Sequence, residues 1–224
     1  MMLTNFTENR VPVMFYAREL DKALRFGDVL QGYPSTTPRI EEPILNENFV
    51  RYNIDVDLPK FTVVMDPSCE IRNRTISLTP LIQVSWKFFE NPYFAEDLTR
   101  INREMEPQEA LSSLAWSKLS LEEQQQRLNV GRTYALLNVF VYEKHDLLPR
   151  YSVHRKTKED IDVGHYMIDF RNTYRLCCNK IESPEKSPLN SKVLQLSPET
   201  RAELTNKLIK YYARIHLEDK AREG

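Results

Sequence analysis

The sequence predicts one α+β domain over residues 1–224, made of a β-rich core, a helical insertion and a closing C-terminal helix. Two patterns carry the prediction. Apolar residues alternate with polar ones through 49–57 and 75–84, and 60–66 is a short apolar run, so the first third reads as strands. Residues 197–218 repeat apolar side chains at helical spacing behind a serine–proline start. At 224 residues the chain is long enough for one full core.

Three zones follow in order. Residues 1–84 form the β-rich zone: a short helical stretch around 18–25, a strand over 26–31, then a loop marked by Pro34, Pro38 and Pro43. Strands are expected over 49–57, 60–66 and 75–84, with Pro80 at an edge or bulge. Residues 85–130 form the helical insertion, with helices over 95–105, 107–115 and 120–128. The last of these starts on Ser120 with Glu123 three residues on, a capping box. Residues 131–224 return to strands over 133–143, 166–170 and 173–181, then a Pro/Ser/Lys loop over 183–191. In the final helix Ser197 is the N-cap, Pro198 the first helical residue, and Leu204, Leu208, Tyr211 and Ile215 one apolar stripe. The tail 219–224 is charged and expected to fray.

Composition excludes several functions. The five glycines fall well short of the roughly 16 that average usage gives, and none has dinucleotide or Walker spacing. Without them backbone N–H groups cannot reach a nucleotide's phosphates in the usual way, so no nucleotide cofactor is expected. Cys69, Cys177 and Cys178 are odd in number and lack a CxxC, which argues against disulfides and against a cysteine-rich zinc site. Lys and Arg total 31 against 32 Asp and Glu, so no global field draws in nucleic acid, although a local patch is still allowed. No apolar run approaches membrane-spanning length, and the first residues lack a signal-peptide pattern; a cytoplasmic location without membrane partners is the expectation.

The run VVMDPSCEIRNRTISLTPL sets polar groups at the end of a strand, where a rigid scaffold commonly holds functional side chains. Lys60, Asp66, Ser68, Cys69 and Arg72 are the catalytic candidates there, against the alternative of a tight turn satisfied by Asp66, Ser68 and Asn73. Cations gather in two places. Lys144, Arg150, His154, Arg155, Lys156 and Lys158 interleave with Tyr142 and Tyr151, and on the last helix Lys207, Lys210 and Arg214 share a face beside Tyr212. Of these, Arg150, Arg155, Lys156, Lys207, Lys210 and Arg214 are the nucleic-acid-binding candidates, because charge grips a backbone while rings stack bases. His165 and Asp169 would share a strand face but about 13 Å apart, too far for one metal. His145, His154 and His216 complete the histidines, and neither a metal site nor a Cys69–His pair is expected. Trp86, Phe88, Phe89, Tyr93 and Phe94 read as core or as cover for a sheet edge, and otherwise as a partner surface.

Three blocks of the first zone resemble the small barrels of MazF/PemK-type toxins, the RNA endonucleases of bacterial toxin–antitoxin pairs. Gly27-Asp28-Val29 matches the family's first strand, and Lys60 followed by Val63-Val64-Met65-Asp66-Pro67 matches its basic residue, strand and turn. The strand through Pro80 matches the third block. The Ser68-Cys69-Glu70 turn is also similar to bacterial proteins that carry a strand-end Cys-Asp or Cys-Glu pair and a helix like LTNKLIKYYARI. The toxin resemblance implies an SH3-like or PemK-like partly open barrel, RNA as ligand, and a protein partner encoded nearby in a bacterial or phage system. It also implies a loss: Lys60 stands at the toxins' arginine and Ile82 at their threonine, so the planar phosphate fork and the hydroxyl are both gone.

Three functions therefore stand as expectations. The first is a non-catalytic nucleic-acid-binding or interaction protein. The second is an endoribonuclease with a rebuilt site. The third is an assembly subunit that uses the aromatic stretch as its interface.

Overall fold

A computed structural model describes residues 14–40, 52–67, 71, 75–154, 160–177 and 188–222, with side chains at all of these except 38–40, 52 and 214–222. Among the described residues twelve strands appear: β1 Val29–Gln31, β2 Ser35–Ile40, β3 Tyr52–Asp57, β4 Phe61–Val64, β5 Thr75–Pro80, β6 Ile82–Gln83, β7 Val139–Tyr142, β8 Tyr151–His154, β9 Asp160–Val163, β10 Tyr166–Asp169, β11 Tyr174–Cys177 and β12 Lys192–Leu194. The α-helices are α1 Pro92–Glu96, α2 Pro107–Ala110, α3 Ser113–Ser117, α4 Leu121–Val130 and α5 Pro198–Arg222.

The strands form a five-stranded sheet in the order β11-β5-β4-β1-β12, a three-stranded sheet β6-β10-β7, and the ribbons β2–β3 and β8–β9. All pairings are antiparallel, so the fold is mixed α+β; none of the sheets closes into a barrel. Two crossings tie the larger sheets together. The chain passes from β5 to β6 at Leu81, whose N–H donates to the Phe61 carbonyl at 3.0 Å, and from β10 to β11 through the 3-10 turn Phe170–Asn172.

Period-two alternation explains the packing. In β7, Phe140 and Tyr142 enter the core between the sheets, while Val139 and Val141 enter a second core on the opposite face. In β4, Phe61 and Val63 face the first core and Val64 a third, with Leu30, Ile76 and Leu78. Leu204 of α5 closes the first core, and Leu208 and Tyr211 pack against it, as the helical stripe predicts. Trp86, Phe88, Phe89 and Tyr93 pack with buried Phe94 against the second core.

Several expectations are corrected. No helix forms around 18–25; that stretch is irregular and held by hydrogen bonds such as Asp21 N–H to Gln195 Oε1 at 2.8 Å. The Pro34–Pro38 part of the expected loop carries a strand, β2, because a two-stranded ribbon leaves one side of each strand unpaired and there proline's missing N–H costs nothing. The strand over 75–84 breaks after Pro80 into members of two sheets, and only Val139–Tyr142 of 133–143 is strand. The helix over 95–105 becomes α1 and a 3-10 turn, Leu98–Asn102, because Asp97 caps the second turn. Helix 107–115 likewise divides into α2 and α3, whereas the Ser120 capping box forms as read. The helix backbone of α5 continues to Arg222, through most of the tail expected to fray. Pro43 and 178–187 lie outside the described residues.

Gly27 is the position where backbone freedom is required. Its φ is 85°, and a Cβ there would meet Leu196 Cδ1 at 2.6 Å. Gly27→Ala is expected to lower stability by about 2–4 kcal/mol, read as a fall in the urea midpoint. An unchanged midpoint would mean that the turn relaxes freely.

Candidate functional site

The turn at Gly27-Asp28 is structural. Gly27 N–H donates to the Val64 carbonyl at 2.8 Å and Val64 N–H to the Asp28 carbonyl at 2.9 Å. The Asp28 carboxylate, 0 % exposed, meets Lys192 Nζ at 2.7 Å, and Arg201 stands 4.0 Å from its other oxygen. Lys192 also donates to the Ala23 carbonyl at 2.9 Å and to Gln195 Oε1 at 2.7 Å. Burial pushes the Asp28 carboxyl above its ordinary value by more than Lys192, the Arg25 N–H and Arg201 pull it down. Tyr142, fully buried, donates its hydroxyl to the Gly27 carbonyl at 3.1 Å.

The catalytic candidates are not drawn together. Lys60 is exposed and its ammonium lies 5.6 Å from the Phe61 ring centroid. Asp66 accepts the Ser77 N–H at 2.5 Å, which is turn closure. Ser68, Cys69 and Arg72 lie outside the described residues. Ile82 lines a groove of about 650 Å³ with Pro80, Thr36, Thr37 and Tyr174, beside Arg171 and Asp57. Arg171 there is forked onto Asp169 at 2.9 and 2.5 Å, so its planar face is already engaged.

In the first cation group, two described members sit against carboxylates. Arg150 pairs with Asp162 at 2.5 Å and His154 with Asp160 at 2.6 Å. Neither ring expected to interleave is free: Tyr142 is core, and Tyr151 donates its hydroxyl to the His165 carbonyl at 2.5 Å. Arg150 does line a cavity of about 470 Å³ with Lys144, His145 and Asp146. Burial lowers the nearby His165. Arg155, Lys156 and Lys158 lie outside the described residues, as does Cys178. Among the described residues no cluster of three or more His, Cys, Asp or Glu could hold a metal.

The second group changes most. Lys207, expected on an exposed face with Lys210 and Arg214, is 0 % exposed. It sits at the i+3 position from buried Leu204, on the packed side of α5, and its Nζ donates to the Ile101 carbonyl at 2.5 Å. With no carboxylate in ion-pair contact among the described residues, burial alone lowers its pKa to about 7. The Arg214 side chain is outside the described residues, and Tyr212 is exposed.

Lys210 instead joins groups that the sequence reading missed. A cleft of about 480 Å³ is lined by Arg127, Arg132, Lys210, Glu104 and Tyr134, with Pro107, Ala110 and Leu137 among its apolar walls. Its parts are fixed locally. Arg127 comes from the last turn of α4, which Gly131 ends at φ 79°, placing Arg132 immediately beyond. Met105 and Thr133 exchange two backbone hydrogen bonds of 2.9 Å, which hold Glu104 opposite Tyr134. Arg132 donates to the Glu104 carbonyl at 3.0 Å and lies 3.9 Å from Glu106, while Lys210 pairs with the Glu104 carboxylate. The ammonium groups of Lys207 and Lys210 stand 5.0 and 5.4 Å from the Tyr134 ring centroid. Three cations thus stand against two carboxylates, Glu104 in the lining and Glu106 beside Arg132. Arg127 and Arg132 lie more than 60 residues before α5, so only folding reveals their company.

No family model, curated protein or solved structure matches this chain. No helix among the described residues is long and apolar enough to cross a membrane.

Proposed function

We propose that the chain is a non-catalytic protein of the cytoplasm that binds single-stranded RNA through the Arg127–Arg132–Lys210 cleft. The observation that carries this reading is the excess of three cations, Arg127, Arg132 and Lys210, over the two carboxylates of Glu104 and Glu106 at a ligand-sized hollow; such hollows commonly span about 300–1,000 Å³. Arg127 offers a planar fork suited to phosphate, and Arg132 adds charge beside it while its guanidinium holds the Glu104 carbonyl. Tyr134 already carries two ammonium groups, so recognition rests on backbone charge rather than base stacking. The β1–β4–β5 arrangement, with Gly27-Asp28 bonded to Val64, supports reading the five-stranded sheet as the opened relative of a toxin-type SH3-like barrel. Partial burial of the aromatic stretch 86–94 against the second core leaves less apolar surface for an assembly role.

Fluorescence anisotropy with a labelled single-stranded RNA tests the proposal. Affinity should fall as salt rises, and Arg127→Ala and Arg132→Ala should each weaken binding several-fold and flatten the log–log salt slope by about 0.7. Binding indifferent to both substitutions would reject the cleft. Cleavage of the RNA that disappears in Lys60→Ala would instead favour the rebuilt ribonuclease.

A further inference from the structure

We infer that the buried Lys207 ammonium behind Tyr134 makes anion binding in the cleft respond to pH, tighter in acid and weaker in base. The inference rests on the cleft being the anion site. Lys207 is sealed from water, and its Nζ has the Ile101 carbonyl and the Tyr134 ring for company. The charged groups around it are accounted for element by element. On α5 these are Lys210, which pairs with Glu104, and Glu203, which pairs with Arg103 at 3.5 Å. The segment after the 3-10 turn Leu98–Asn102 supplies those two partners, Arg103 and Glu104. The stretch before β7 supplies Arg132 and Tyr134, whose hydroxyl burial pushes above its ordinary value. Lys207, lowered to about 7 by burial, changes its charge between about pH 6 and about pH 8.5.

Coupling follows from linkage. An anion seated across Tyr134 stabilises the protonated form of Lys207, and by reciprocity the protonated form strengthens anion binding. Across one ring, in a partly buried setting, a unit charge changes affinity by roughly tenfold. Binding should therefore take up a proton above neutrality. It also gives a buried lysine without a carboxylate partner a role that a methionine could not fill.

Sulfate is the probe, because it does not titrate in this range. Shifts in the amide and side-chain NMR signals of Arg127, Arg132 and Tyr134 report its binding. The expected result is roughly tenfold tighter sulfate binding at about pH 6 than at about pH 8.5, with the ratio falling to about one in Lys207→Met. Equal affinity at both pH values, or the same ratio in Lys207→Met, overturns the inference. The Tyr134 ring-proton shifts of the unaltered protein give a second readout without any variant: they should titrate with a midpoint near 7, and a flat profile also overturns it. If sulfate binds with the expected pH dependence but RNA does not bind, the nucleic-acid reading fails and this one stands. If sulfate fails to bind at all, both fall.

Discussion

Asp28→Ala should be the most damaging single substitution in the described structure, lowering stability by about 3–5 kcal/mol. It removes the only carboxylate in ion-pair contact with Lys192 among the described residues, and leaves an ammonium group on a side chain that is 2 % exposed. The two carbonyls and the Gln195 amide oxygen around Lys192 Nζ satisfy its protons but do not neutralise its charge. The loss is large against the 5–15 kcal/mol that about covers a whole domain. Urea denaturation of Asp28→Ala, Lys192→Met and the double variant separates the causes. Each single change should be severe, and the double variant should recover part of the loss, because it leaves no uncompensated charge. If the double variant merely summed the two losses, the pair would not be acting as a unit.

Lys207→Met should do the reverse and stabilise the fold. Burial brings the pKa of Lys207 from 10.5 down to about 7. Between those values the unfolded chain holds a proton that the folded chain lacks, so this residue makes stability rise with pH across that window. Below about pH 7 both states are protonated, and the folded one carries a buried charge at its full cost. The shift corresponds to roughly 4–5 kcal/mol at 1.36 kcal/mol per unit, and methionine gives back about 1 by leaving the Ile101 carbonyl unpaired. The net gain is thus about 3 kcal/mol below neutrality, shrinks as pH rises, and gives way above about pH 10 to a loss of about 1 kcal/mol. Thermal melts at acid and alkaline pH would show it. A variant that is less stable at low pH would mean that the ammonium stabilises the fold rather than straining it.

Local chemistry was legible wherever neighbours in sequence decide it. The capping box of Ser120 and Glu123, the Ser197 cap of α5, and the short apolar run that became β4 each follow from side chains within a few residues. Strand β2 was hidden because prolines read as loop unless the strand is known to lie in a ribbon. Strands β8, β9 and β12 are three or four residues long, too short for a period to show.

The site shows the same division. In α5, Lys207 belongs to two helical faces, one with Lys210 and Arg214, the other with Leu204, Leu208 and Tyr211. The sequence determined where the helix starts and that an apolar stripe runs along it. It also determined what this chain lacks, namely the glycine loops and paired cysteines that nucleotide and zinc sites need. Only the tertiary structure decided that Lys207 faces inward, that Asp28 and Lys192 neutralise one another, and that Arg127, Arg132 and Lys210 share a cleft. Burial and charge pairing are set by segments more than a hundred residues apart in two of those three cases, and no local period carries that information.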